Sequence, residues 1–117
     1  MTPGQVVLLR LPQPDTFAGK LRPTLVLADL PGPFGDVLVC GISSQLHQEL
    51  PSWDERITPG DPDFPTSGLK VPSLIRLNWL ASVSPTTRAG TLGSIAPERL
   101  AHLRTRLVAH LALPYPP

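Results

Sequence analysis

The sequence predicts a small, mainly β fold closed by a C-terminal helix, and three observations point to it. Short β-favouring runs separated by Pro and Gly turns fill positions 5–44. A further apolar run follows at 70–84, and five apolar residues near the end recur at helical spacing. Strands followed by one amphipathic helix make a small sheet or partly closed barrel capped by that helix.

The first strand is Gln5–Leu11, QVVLLRL, bounded by Pro3-Gly4 and Pro12. Residues 12–21, with Pro, Asp and Gly, read as an exposed loop. The second strand is RPTLVLAD at 22–29, with Pro23 at its start, where a missing N–H costs least. After the LPGPFG turn, DVLVCGISS at 36–44 gives a third strand. It is apolar almost throughout and therefore central, and its short connector implies antiparallel pairing with the second.

Residues 45–68 lack steady periodicity. A short helix is expected to begin in LHQELP, and the turn-rich GDPDFPTSG at 60–68 is either a binding loop or the host of a short strand. The run at 70–84 is strand again, with Gly90–Ile95 expected as its pairing partner. Pro97 fits the first helical position and Glu98 suits the positive helix end. Leu100, Leu103, Leu107, Val108 and Leu111 form one apolar stripe on a helix over about 97–112, and the Pro-rich tail 114–117 is expected to be disordered.

At 117 residues the chain suits one domain, 1–117, with a modest core. Its net charge of +1 does not mark a nucleic-acid binder, so phosphate contacts would depend on locally grouped cations. Eight of the ten basic residues are arginine, whose planar fork suits phosphate. The lone Cys40 excludes an intrachain disulfide and a thiolate-clustered zinc site, and its apolar surroundings predict a buried, reduced residue. The N-terminus lacks a basic region followed by a long apolar segment, and no run approaches the ~18 apolar residues of a membrane span. A cytoplasmic protein without a membrane partner is expected.

Five fragments in order carry a family resemblance: GQVVLLRLP, KLRPTLVLAD, DVLVCGISSQ, SGLKVPSLIRLNWLASV and GTLGSIAPERLAHLRTRLVAHL. Together they resemble the MazF/PemK family of type II toxin–antitoxin ribonucleases over positions 4–111. The resemblance implies a small SH3-like barrel of the MazF/PemK/CcdB toxin type and a homodimer. It also implies cleavage of single-stranded RNA at specific sequences, without metal or cofactor, and restraint by a cognate antitoxin. A non-catalytic protein- or nucleic-acid-binding member of the fold and a gyrase-directed toxin are the alternatives.

On this resemblance, Arg22 takes the catalytic arginine position and Ser43 the catalytic Thr/Ser position. The guanidinium of Arg22 is suited to stabilising charge on a scissile phosphate rather than to proton transfer, because a delocalised guanidinium does not readily give up a proton. Ser43 would donate its hydroxyl or orient the attacking 2′-OH, and Ser44 is its neighbouring alternative. Ser73 and Arg76 match the family's S-x-x-R segment. Arg76 fits either groove orientation and phosphate contact or a structural ion pair.

Lys20 and Lys70 are candidate backbone contacts, and His47 is a candidate auxiliary proton carrier. Trp53 and Phe64 are candidates for stacking on bases, whereas Trp79 is expected in the core. The acidic residues Asp54, Glu55, Asp61 and Asp63 would repel RNA unless neutralised or turned away.

Overall fold

The computed structural model describes residues 1–13 and 16–116. Six strands form one sheet: β1 (Gln5–Gln13), β2 (Thr16–Asp29), β3 (Val37–Ser43), β4 (Glu55–Ile57), β5 (Ser73–Val83) and β6 (Arg88–Ser94). Their order across the sheet is β4-β5-β3-β2-β1-β6, and every adjacent pair is antiparallel. A one-turn helix α1 (Phe64–Ser67) precedes β5, and helix α2 (Pro97–Leu111) ends the fold.

The connection from β5 to β6 shows that the sheet is curved. These strands stand four positions apart, about 19 Å in a flat sheet. The chain covers that interval with Ser84–Thr87 alone, whose extended reach is roughly 17 Å. The sheet must therefore curl into a half-barrel. A break in β5 supplies a corner: Cys40 pairs with Leu80 and Gly41 with Arg76, leaving Leu77–Trp79 outside the ladder. Trp79 folds against Gly41, where a Cβ would stand 3.2 Å from that of Trp79.

Strand alternation sorts the apolar residues into two layers. Val6, Leu25, Leu27, Cys40, Ile42, Ile57, Ile75 and Leu77 face one way and meet Ile95, Leu103 and Leu107 from the helical end of the chain. Val7, Leu9, Val26, Val37 and Val39 face the other way and form a second buried cluster. Burial pushes the Cys40 thiol up to about 12, so it stays protonated and inert, in keeping with its expected place in the core.

The first three strands and the terminal helix fall where the sequence places them, with four corrections. Much of the expected loop at 12–21 is strand, since β1 runs to Gln13 and β2 starts at Thr16. Pro23 consequently lies inside β2. It is tolerated because pairing with β3 begins only at Thr24, leaving one side of β2 without a strand there.

β6 pairs with β1 rather than with β5, because the curled sheet brings the far edge within reach of the short connection. In α2, Leu103 and Leu107 are buried one turn apart, but Val108 and Leu111 are 63% and 70% exposed. Val108 lies about 100° around the helix from Leu107, and Leu111 lies beyond the last buried turn. The irregular stretch 45–68 contains a 3₁₀ turn (Leu46–Gln48), β4 and α1; its short strand lies at Glu55–Ile57, while GDPDFPTSG at 60–68 holds the one-turn helix instead of a strand.

Candidate functional site

Arg22 and Ser43 come from neighbouring strands. Their ladder ends at the pair Thr24 and Gly41, and Arg22 and Ser43 each lie two residues beyond that pair, toward the same end of the sheet. Beyond them a cleft of about 320 Å³ opens, lined by Arg22, Pro23, Ile42, Ser43, Ser44 and Gln45 on one side. Gly68–Val71, Ser73 and Leu92 complete its wall. Five of the expected site residues therefore meet in one cavity: Arg22, Ser43, Ser44, Lys70 and Ser73.

The hydroxyls in this cavity have different freedom. Ser43 Oγ accepts a 3.1 Å hydrogen bond from the backbone N–H of Gln45, which fixes the oxygen and leaves the O–H to donate outward. Ser73 is buried and donates to the carbonyl of Val71 at 2.8 Å, so its hydroxyl shapes the wall. Arg22 and Lys70 are exposed cations without an acidic partner among the described residues. A dianionic or monoanionic phosphate group would find two positive charges and a free hydroxyl there.

The wall at 68–71 is held by close backbone contact. Gly68 has a φ of +75°, and a Cβ on it would collide with the backbone of Leu92. A Cβ on Gly93 would likewise meet the Thr66 carbonyl. Ser67 Oγ donates to the Phe64 carbonyl at 2.6 Å and accepts from the Leu69 N–H at 3.1 Å, closing the turn. Two glycines thus let α1 press onto β6 and present Leu69, Lys70 and Val71 to the cleft.

Other expected residues lie elsewhere. The partly buried Arg76 stands 3.5 Å from the buried carboxylate of Asp54 and donates to Gln48 Oε1 at 2.9 Å. It holds the turn after Ser44 rather than lining the cleft. His47 is exposed on that turn, and Lys20 is exposed on β2.

The expectation for the aromatic residues is reversed. Trp53 and Phe64 pack against the main core, and Trp53 Nε1 donates to Asn78 Oδ1 at 2.7 Å, whereas Trp79 is 39% exposed. The corner in β5 turns Trp79 out of the layer that its neighbours occupy, and strand periodicity gave no sign of that corner.

The acidic stretch is neutralised internally. Arg99 of α2 reaches Asp63 at 2.8 Å, Glu55 at 3.0 Å and Asp61 at 3.4 Å, and Arg106 reaches Glu55 at 3.5 Å. The hydrogen bond from Arg99 holds the Asp63 carboxyl below its ordinary range against the opposing effect of burial. Burial works to lower the pKa of Arg99, yet its bonds and charge contacts with Asp63 and Glu55 leave it raised. Sequence reasoning missed this hub because helix arginines separated from the acids by more than 30 positions carry no local signal. It also missed Gln45, Leu69, Val71 and Leu92, ordinary side chains that only the fold brings to the cleft.

The described residues thus form a small β half-barrel with a C-terminal helix, whose cleft bears two exposed cations and a serine hydroxyl free to donate. The chain belongs to the PemK-like, MazF-like toxins of type II toxin–antitoxin systems, whose family model matches residues 2–111. No curated protein matches it in sequence. Among the described residues, no helix is long and apolar enough to cross a membrane.

Proposed function

We propose that the protein is the toxin component of such a system and acts as an endoribonuclease on single-stranded RNA at specific sequences, without a metal. The observation that carries this reading is the convergence of Arg22, Lys70 and the outward-donating Ser43 hydroxyl on one cleft. The substrate 2′-oxygen attacks the adjacent phosphorus as its proton leaves. The bond from phosphorus to the 5′-oxygen breaks and that oxygen gains a proton, giving a 2′,3′-cyclic phosphate and a 5′-hydroxyl.

Arg22 stabilises the charge that builds on the non-bridging oxygens, and Ser43 donates to one of them or orients the 2′-OH. Lys70 adds a point charge for the flanking backbone. The neutralised acids on the helix side remove the repulsion that their number alone would imply. A homodimer and a cognate antitoxin complete the reading, in line with the family. The exposed Val108, Leu111, Leu113 and Tyr115 offer apolar surface for such contacts.

The test is incubation of the antitoxin-free protein with a long single-stranded RNA in EDTA, followed by end-group analysis. Discrete fragments with cyclic phosphate ends are expected. Intact RNA across varied sequences, with a folded protein, would refute the proposal.

A further inference from the structure

A bulge in β6 places a third cation on the face that carries Arg22. Val7 pairs with Thr91 and Leu8 with Gly90, so an unbroken ladder would set Leu9 against Ala89. Arg88 would then fall opposite Arg10, on the other face. Instead Leu9 pairs with Arg88, and Ala89 is the extra residue. Leu9 also pairs with Arg22 on its other side. Arg22, Leu9 and Arg88 therefore form one row across β2, β1 and β6, with the two arginines two strand spacings, about 10 Å, apart. Lys20, two residues before Arg22 on β2, points to the same side.

On the other side of the molecule most arginines are neutralised, while Arg104 of α2 donates to the Leu27 carbonyl at 3.1 Å and Arg10 is exposed, neither with an acidic partner among the described residues. Arg56, Arg76, Arg99 and Arg106 all pair with carboxylates. Arg88, Arg22 and Lys20 are exposed, and none has an acidic partner among the described residues. The one side-chain hydrogen bond of Arg88 is a long 3.4 Å contact with Thr91 Oγ1. Like charges grouped on one sheet face destabilise the fold unless an anion spans them. A bulge that turns an arginine into such a group favours binding of a polyanion over stability.

We propose that Arg88 is a second phosphate-binding position, which holds the backbone of a single-stranded RNA one or two nucleotides from the phosphate at Arg22. This rests on the ribonuclease reading of the cleft and extends its substrate track from Arg22 to β6, the two exposed arginines flanking the buried Leu9. The guanidinium fork suits a phosphodiester, and the row is continuous with the cleft through Arg22.

The experiment measures binding of a 2′-O-methylated single-stranded RNA, which has no attacking hydroxyl, over a salt series in EDTA. Wild type, Arg88→Ala, Arg88→Lys and Arg22→Ala are compared. Each lost phosphate contact should reduce the slope of log K against log salt by about 0.7. Arg88→Ala is expected to bind several-fold more weakly at low salt with that shallower slope, while Arg88→Lys keeps the slope. If Arg88→Ala matches wild type while Arg22→Ala is weakened, the inference fails and the cleft reading stands. If wild type does not bind, both fail. If Arg88→Ala loses affinity for an acidic peptide but keeps that for RNA, the face belongs to a protein partner and the inference is overturned.

Discussion

The guanidinium of Arg99 grips both carboxylate oxygens of Asp63, with Nε donating to Oδ2 at 2.8 Å and Nη2 to Oδ1 at 3.1 Å. Asp63 Oδ2 also accepts from the Ala96 N–H at the start of α2. One acid thereby ties the terminal helix to the segment that runs through α1 into the cleft wall at Gly68–Val71. The helix has no contact in the cleft, yet it sets the position of one wall.

That bond makes stability depend on pH in a defined direction. The folded pKa of Asp63 lies below the unfolded one, so its contribution is complete above the ordinary carboxylate range and is lost as pH falls through the folded value. Denaturant melts of wild type should show stability declining on acidification, and Asp63→Asn should flatten that decline while lowering stability near neutral pH. An unchanged acid limb in Asp63→Asn would show that other carboxylates control it.

The close approach of α1 to β6 should tolerate no side chain. Gly93→Ala forces a methyl group into the Thr66 carbonyl, and Gly68→Ala adds a positive φ to a clash with Leu92. Each is expected to destabilise by at least ~1–3 kcal/mol and to impair RNA cleavage in whatever fraction stays folded, because the Leu69–Val71 wall must move. By contrast, Gly60→Ala meets open space and should be close to neutral.

Helix α2 separates its apolar residues sharply. Leu103→Ala removes a fully buried side chain and should cost about 2–5 kcal/mol. Val108→Ala, at a position 63% exposed, should change the stability of the monomer by under ~0.5 kcal/mol. Chemical denaturation of both at low protein concentration separates a buried helix line from an evenly buried stripe.

Much of this fold is legible in the sequence because its signals are local. Val6, Val7 and Leu9 in β1, the Leu25–Leu27 centre of β2 and the Pro97 start of α2 each declare themselves within a few residues. Arg22 and Ser43 are singled out by the family resemblance, and the fold places them on neighbouring strands that line one cleft. The rest depends on curvature. The corner that exposes Trp79, the transfer of β6 to β1 and the bulge that turns Arg88 are consequences of a closing sheet, and a period-of-two pattern carries no information about closure. Trp53 lies in the turn before β4 and Phe64 in the one-turn helix α1, so neither stands in a stretch long enough for a periodic pattern to reveal that it packs against the core.

The central claim is that Arg22 and Ser43 act on the same phosphate, and a double-mutant cycle on single-turnover RNA cleavage tests it most directly. Arg22→Ala alone should reduce the rate by roughly 10²–10³-fold, as for loss of a donor to a developing oxyanion. Ser43→Ala should cost less, and the double variant should fall well short of the product of the two losses, because groups serving one transition state are not additive. Losses that multiply, or an Arg22→Ala protein that cleaves at the wild-type rate, would contradict the assignment of both residues to one reacting centre.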